Sequence, residues 1–202
     1  DRLKISIKVF IIWTLAFVGT KFFNGLIKAP SHSIYIFPFE NNIPYIPEFF
    51  PIYFLAVPLV ILPLFLIKNK NIFNQMVKAY LITIITTIVI LLIYPIKLVR
   101  PLVEGTGIYY STIQFFYKIL PAYTIFPSLH MSLMMLSSLY IRKENKKLGN
   151  ILLISTLIIA ISILLVKTHY LIDLIVGFIL SLIVYKIVSK WKIITYQKSK
   201  EP

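Results

Sequence analysis

Three short polar stretches interrupt an otherwise greasy chain: Lys97-Leu98-Val99-Arg100-Pro101, Phe126-Pro127-Ser128-Leu129-His130 and Lys167-Thr168-His169-Tyr170-Leu171-Ile172-Asp173. They hold two of the chain's three histidines and the one carboxylate set deep in an apolar run. A polar group in hydrocarbon costs several kcal/mol unless a partner satisfies it, so ionisable residues there are functional candidates. His169 and Asp173 are four residues apart, which places them one turn apart on one face of a helix. A carboxylate so placed can accept the Nδ1 proton of the imidazole. That fixes the tautomer and leaves an Nε2 lone pair for a nucleophile or general base. The same spacing also suits a buried pair that only ties helices together.

Phe126-Pro127-Ser128-Leu129-His130 reads as the opening of a helix, because proline suits the first turn. The amides of Ser128 and Leu129, the Ser128 hydroxyl and the helix dipole then make a seat for an anion. His130 follows at once and can donate a proton to whatever is held there. Taken alone, the stretch is also an ordinary Pro-Ser helix start with a histidine at the water boundary. Arg100, with Lys97 one turn before it, offers a fork for phosphate oxygens. Taken alone, these cations could simply snorkel to headgroups. If the three stretches meet at one end of a helix bundle, they form a phosphate-handling site at a membrane surface.

The elements that would bring them together are membrane helices. Of the 202 residues, 58% are hydrophobic, with a mean hydropathy of +0.86. Apolar runs of about 20 residues recur, each long enough to cross a hydrocarbon slab of about 30 Å. With no cysteine, disulfides and thiolate metal sites are excluded. The formal charge of +14 does not indicate nucleic acid, because the basic residues lie between hydrophobic runs instead of on a soluble face. The first apolar run reads as a retained helix, not a cleaved leader. Hydropathy predicts six spans, at about 5–23, 50–68, 76–96, 126–142, 148–166 and 169–189, in one domain over 1–202. Arg2, Lys4, Lys8, Lys68, Lys70, Lys78, Arg142, Lys143, Lys146, Lys147 and the tail lysines from Lys186 onward fall on one side. That side carries 15 of the 21 basic residues. The positive-inside rule puts it, and both termini, in the cytoplasm. All three polar stretches then lie on the outer side.

Residues 24–50 form a long outer connection whose prolines oppose a continuous helix and whose aromatics favour the headgroup level. It reads as an anchoring loop or as an interfacial flap beside a lipid entrance. Pro58 and Pro63 are expected to bend the second span.

The three stretches together resemble the type 2 phosphatidic acid phosphatase (PAP2) superfamily, integral-membrane lipid phosphatases with an Arg-Pro, a Pro-Ser-Gly-His and a His-x-x-x-Asp motif. Arg100-Pro101, Pro127-Ser128-x-His130 and His169-x-x-x-Asp173 match in order. The wording is similar to the branch that includes inositol phosphorylceramide synthases and many small bacterial phosphatases. Leu129 stands where the motif has glycine. The motif's lysine falls on Ile93 and its arginine on Ile163, beside Ser162. Lys97 and Lys167 lie four residues beyond those positions.

The resemblance implies an all-α, polytopic six-helix bundle in a bacterial cytoplasmic membrane, with its site on the extracytoplasmic face. It implies that His169 attacks phosphorus with Asp173 orienting it, and that His130 protonates the leaving alkoxide and then activates water or an alcohol. Arg100, Lys97, Lys167 and the Ser128–Leu129 amides would neutralise the equatorial oxygens. The implied substrate is a lipid phosphate: phosphatidate, phosphatidylglycerol phosphate, polyprenyl diphosphate or a phosphorylated glycolipid. No cofactor, nucleic acid or obligate protein partner is implied. Transfer of the phosphoryl group to an alcohol is the sibling chemistry. A small transporter or channel using the same polar residues is the reading from another class.

Two histidines and an aspartate could bind zinc, but zinc sites take a closely held third ligand and no cysteine is available. No metal is therefore expected. His32 reads as a solvated loop residue. Met131, Met134 and Met135 read as packing, Gly177 and Ser181 as a small-residue helix contact, and Glu104-Gly105-Thr106-Gly107 as a flexible turn.

Overall fold

A computed structural model of the chain describes residues 2–26, 37–119, 122–124 and 126–198. His32, Lys28, Pro30, Tyr35 and Lys200 lie outside the described residues. The architecture is all-α apart from one two-residue strand pair. Helix α1 (Arg2–Leu26) is followed by two 3₁₀ turns (Pro38–Asn42 and Pro47–Phe49) and α2 (Phe50–Phe54). Then come α3 (Ala56–Leu66), α4 (Lys70–Ile93), β1 (Ile96–Lys97), α5 (Ile108–Ile119) and β2 (Tyr123–Thr124). The chain ends with α6 (Leu129–Glu144), α7 (Lys146–Leu165) and α8 (Leu171–Lys198).

Counting α2 and α3 as one bent rod, the described helices other than α5 overlap the stretches that hydropathy marks. Among the described residues, four segments are long and apolar enough to cross a membrane: Pro47–Leu66, Lys70–Ile93, Lys146–Leu165 and Leu171–Lys190. Beside them stand α1, with 25 residues, and α6, with 16.

Local chemistry explains where the boundaries differ from expectation. α4 begins at Lys70, not 76, because the Asn69 side chain caps it by accepting from the Asn71 and Ile72 amides. The second rod breaks at Leu55, where Pro58 has no N–H to offer the Phe54 carbonyl four residues back. Pro63 lies within α3. The Glu104–Gly107 segment leads into α5, with both glycines at positive φ (140° and 114°). The Tyr110 ring lies so close to Gly105 that an added Cβ would sit 2.5 Å from it.

α6 is the hub, packed against α3, α4, α7 and α8. Two of its serine hydroxyls are satisfied at home: Ser137 Oγ donates to the Leu133 carbonyl at 2.8 Å and Ser138 Oγ to Met134 at 2.9 Å. Polar residues can thus sit in a greasy core without stranding a donor. Met131 and Met134 are buried in that core, as expected. Gly177 lets α8 press onto the start of α6, since an added Cβ would lie 2.6 Å from the Ser128 carbonyl oxygen. Ser132 Oγ seals the contact, donating to the Gly177 carbonyl at 2.8 Å.

Candidate active site

The three polar stretches converge at one end of the bundle. α4 and α7 end there, and α6 and α8 begin there. The antiparallel pairing of Ile96 with Thr124 and Lys97 with Tyr123 ties the first stretch to the chain leading into the second. Ser128 N–H donates to the Asp173 carbonyl at 3.0 Å, joining the second to the third. Tyr170 OH accepts from Val99 N–H at 3.3 Å, joining the third to the first.

His169 Nδ1 donates to Asp173 Oδ2 at 3.0 Å, and both residues are buried. The route differs from a plain helical spacing. His169 lies ahead of α8, and Asp173 sits in its first turn. There Asp173 Oδ2 also accepts the Tyr170 amide at 3.1 Å, a carboxylate reaching back to the helix start, where the dipole favours it. The imidazoles of His130 and His169 lie edge to face, their ring centroids 6.0 Å apart. His130 is further held by Tyr53 and Trp13, at 5.6 and 6.5 Å between ring centroids.

Arg100 Nη1 donates to the Tyr117 carbonyl at 2.9 Å, and its guanidinium carbon lies 4.6 Å from the Tyr117 ring centre. Burial pulls the guanidinium below its ordinary pKa, while Tyr117 acts in the opposite direction. Arg100, His130 and His169 all line one cavity of about 310 Å³, with aromatic walls that include Trp13, Phe50, Tyr53 and Phe116.

The remaining expectations are redistributed. Lys167 has a φ of +55°, a setting uncommon for a residue with a Cβ, and its ammonium donates to the Glu40 carbonyl at 2.9 Å. Burial lowers its pKa, and the nearby Glu40 partly restores it. It lines a second cavity, of about 290 Å³, with Glu40, Asn41 and Tyr170. The two cavities share Leu98 and His169. Lys97 is exposed on β1 and lines neither cavity, because strand alternation turns its neighbours Ile96 and Leu98 inward instead. Neither lysine stands on a helix one turn past the motif position.

The anion seat expected at Ser128 and Leu129 is corrected. Ser128 is the N-cap of α6, not a residue of its first turn, and Pro127 lies outside the helix. The Ser128 amide is donated to Asp173, its hydroxyl accepts from Met131 N–H at 3.4 Å, and neither it nor Leu129 lines either of these two cavities. Leu129 is in the core, where the motif's glycine would leave a gap.

Sequence reasoning missed Trp13, Tyr53, Tyr117 and Glu40. The aromatics carry no local signal, since only the tertiary fold brings them to the imidazoles. Glu40 had one: it is an acid in a proline-rich apolar connection. Among the described residues no cluster of three His, Asp or Glu is arranged to hold a metal ion.

The PAP2 superfamily profile matches residues 49–187 of this chain. No curated protein matches it.

Proposed function

The chain belongs to the PAP2 superfamily, an all-α membrane protein of phosphatase type, and from that premise we propose that it hydrolyses a lipid phosphate through a phosphohistidine at His169. The observation that carries this reading is one cavity lined by Arg100, His130 and His169, with His169 oriented by a buried carboxylate.

Asp173 keeps the Nδ1 proton of His169 in place, so the Nε2 lone pair attacks phosphorus. The P–O bond to the lipid breaks as the P–N bond forms, and His130 gives its proton to the departing alkoxide. His130 then takes a proton from water, the water oxygen attacks phosphorus, and the P–N bond breaks. Orthophosphate leaves and both imidazoles return to their starting states. Arg100 stabilises charge on the equatorial oxygens, the main catalytic demand of phosphoryl transfer. The aromatic walls suit the apolar part of a lipid. The charge distribution supports a six-span topology with both termini cytoplasmic and the site facing outward.

Phosphate release from a panel of lipid phosphates by purified protein in detergent tests this reading. His169→Ala and His130→Ala should each lower turnover about a thousandfold, within the range of positioned proton-transfer groups, without lowering the melting temperature. Vanadate should inhibit the parent. Near-normal activity of either variant on every lipid the parent hydrolyses overturns the assigned roles. A phosphorylated alcohol formed when an acceptor is supplied, with no free phosphate released in its absence, would convert the reading to transfer.

A further inference from the structure

Glu40 lies outside the matched span, yet it grips the chain on both sides of His169. It belongs to the Pro38–Asn42 turn and is buried. Its Oε2 accepts the Phe37 amide at 2.8 Å and its Oε1 accepts the Leu171 amide at 2.6 Å, across 131 residues of sequence. Its carbonyl accepts the Lys167 ammonium at 2.9 Å. One residue thus tethers position 167 before the imidazole and position 171 after it.

The first amides of a helix have no acceptor within it. At the start of α8 these donors are served by two carboxylates, Glu40 for Leu171 and Asp173 for Tyr170. Asp173 Oδ2 serves the Tyr170 amide and the His169 ring at once, at 3.1 and 3.0 Å. Displacement of the 167–171 turn would shift the His169 ring relative to that oxygen and weaken their hydrogen bond.

We propose that Glu40 is a positioning residue: by tethering the turn at both ends it keeps the Asp173 carboxylate on His169. The segment ahead of α2 is then part of the apparatus that orients the nucleophile. The kinetic side of this inference rests on the phosphatase reading; the spectroscopic side does not.

The test uses the full chain in detergent, labelled with ¹⁵N-histidine. Only three histidines contribute, and the spectrum of His169→Gln assigns the relevant ring. In the parent, His169 carries its proton on Nδ1. In Glu40→Ala the ring should exchange between tautomers, and kcat for phosphate release from a short-chain lipid phosphate in micelles should fall about tenfold, with KM within twofold of the parent. Glu40→Gln keeps one acceptor for Leu171 but turns an amide donor toward the Phe37 N–H. It should fall in between, with kcat lowered about threefold. An unchanged His169 signal in both variants overturns the proposal. So does a loss of activity that only tracks a lower melting temperature. If Glu40→Ala does not fold, Glu40→Gln decides, and parent-like values there overturn it. If the parent hydrolyses no lipid phosphate, the phosphatase reading fails while the tautomer comparison still decides the role of Glu40.

Discussion

At the end of the bundle opposite the imidazoles, the Glu144 carboxylate reaches across to the start of α4. There Glu144 Oε1 accepts the Lys68 amide at 2.9 Å and the Asn69 amide at 3.3 Å. Lys143 lies between two rings, 4.9 Å from the centre of Tyr140 and 4.6 Å from that of Tyr185, and donates to Gln75 and Ser189. A glycine allows close approach there too: a Cβ on Gly149 would sit 2.4 Å from the Arg142 Cα. The imidazole end uses the same devices, a remote carboxylate at a helix start (Glu40), a cation against a ring (Arg100) and a glycine crossing (Gly177). The difference lies in what stands beside them. Glu144 is exposed and serves only backbone amides, whereas Glu40 is buried beside a turn that carries a reactive ring. The same capping chemistry anchors helices at one end and, at the other, holds the turn that carries the proposed nucleophile.

Four substitutions sharpen that contrast. Asp173→Asn should have the largest effect. The neutral amide lacks the charge that holds the Nδ1 proton and steadies a developing imidazolium, so kcat should fall about a hundredfold or more with lipid KM nearly unchanged. Steady-state kinetics on the folded protein would show it, and a fall in affinity alone would break the assignment of Asp173 as an orienting group. Next come Gly177→Ala and Gly149→Ala as a pair. Both force a methyl group against backbone, and each should cost about 1–3 kcal/mol of stability, read by thermal unfolding in detergent. Only Gly177→Ala should also lower kcat, because it separates the helix start bearing His130 from the one bearing Asp173. An equal loss in Gly149→Ala would erase the distinction between the two ends. The smallest effect is expected from Glu144→Ala: about 1 kcal/mol for an exposed cap, with kcat within twofold of the parent.

How much could be read in advance depended on range. His169 and Asp173 were legible because their partnership spans four residues and one carboxylate stands out in an apolar run. The apolar stretches were legible from hydropathy, and the polar stretches lie at their ends, which is what lets them meet at one end of the bundle. The start of α6 was misplaced because Ser128 prevails over Pro127 as the boundary, through a side-chain cap that local inspection could have weighed. The fate of the Ser128 amide was not legible, since its acceptor, the Asp173 carbonyl, belongs to another helix. Lys97 was misjudged because a two-residue strand replaces the helix that would have carried it toward the site. Glu40 stood out as an acid in an apolar connection, but its role was not legible, because that lies in an amide 131 positions away.

The shortness of α6 has a consequence for the membrane itself. Its 16 residues span about 24 Å, against a hydrocarbon layer about 30 Å thick. If the 142–147 turn rests at one polar boundary, the far tip of α6 ends about 6 Å short of the other. On the proposed function, a lipid bringing its phosphate to His130 would sink below its neighbours by that amount, and bilayer thickness would bear on turnover, thin membranes easing the descent and thick ones opposing it.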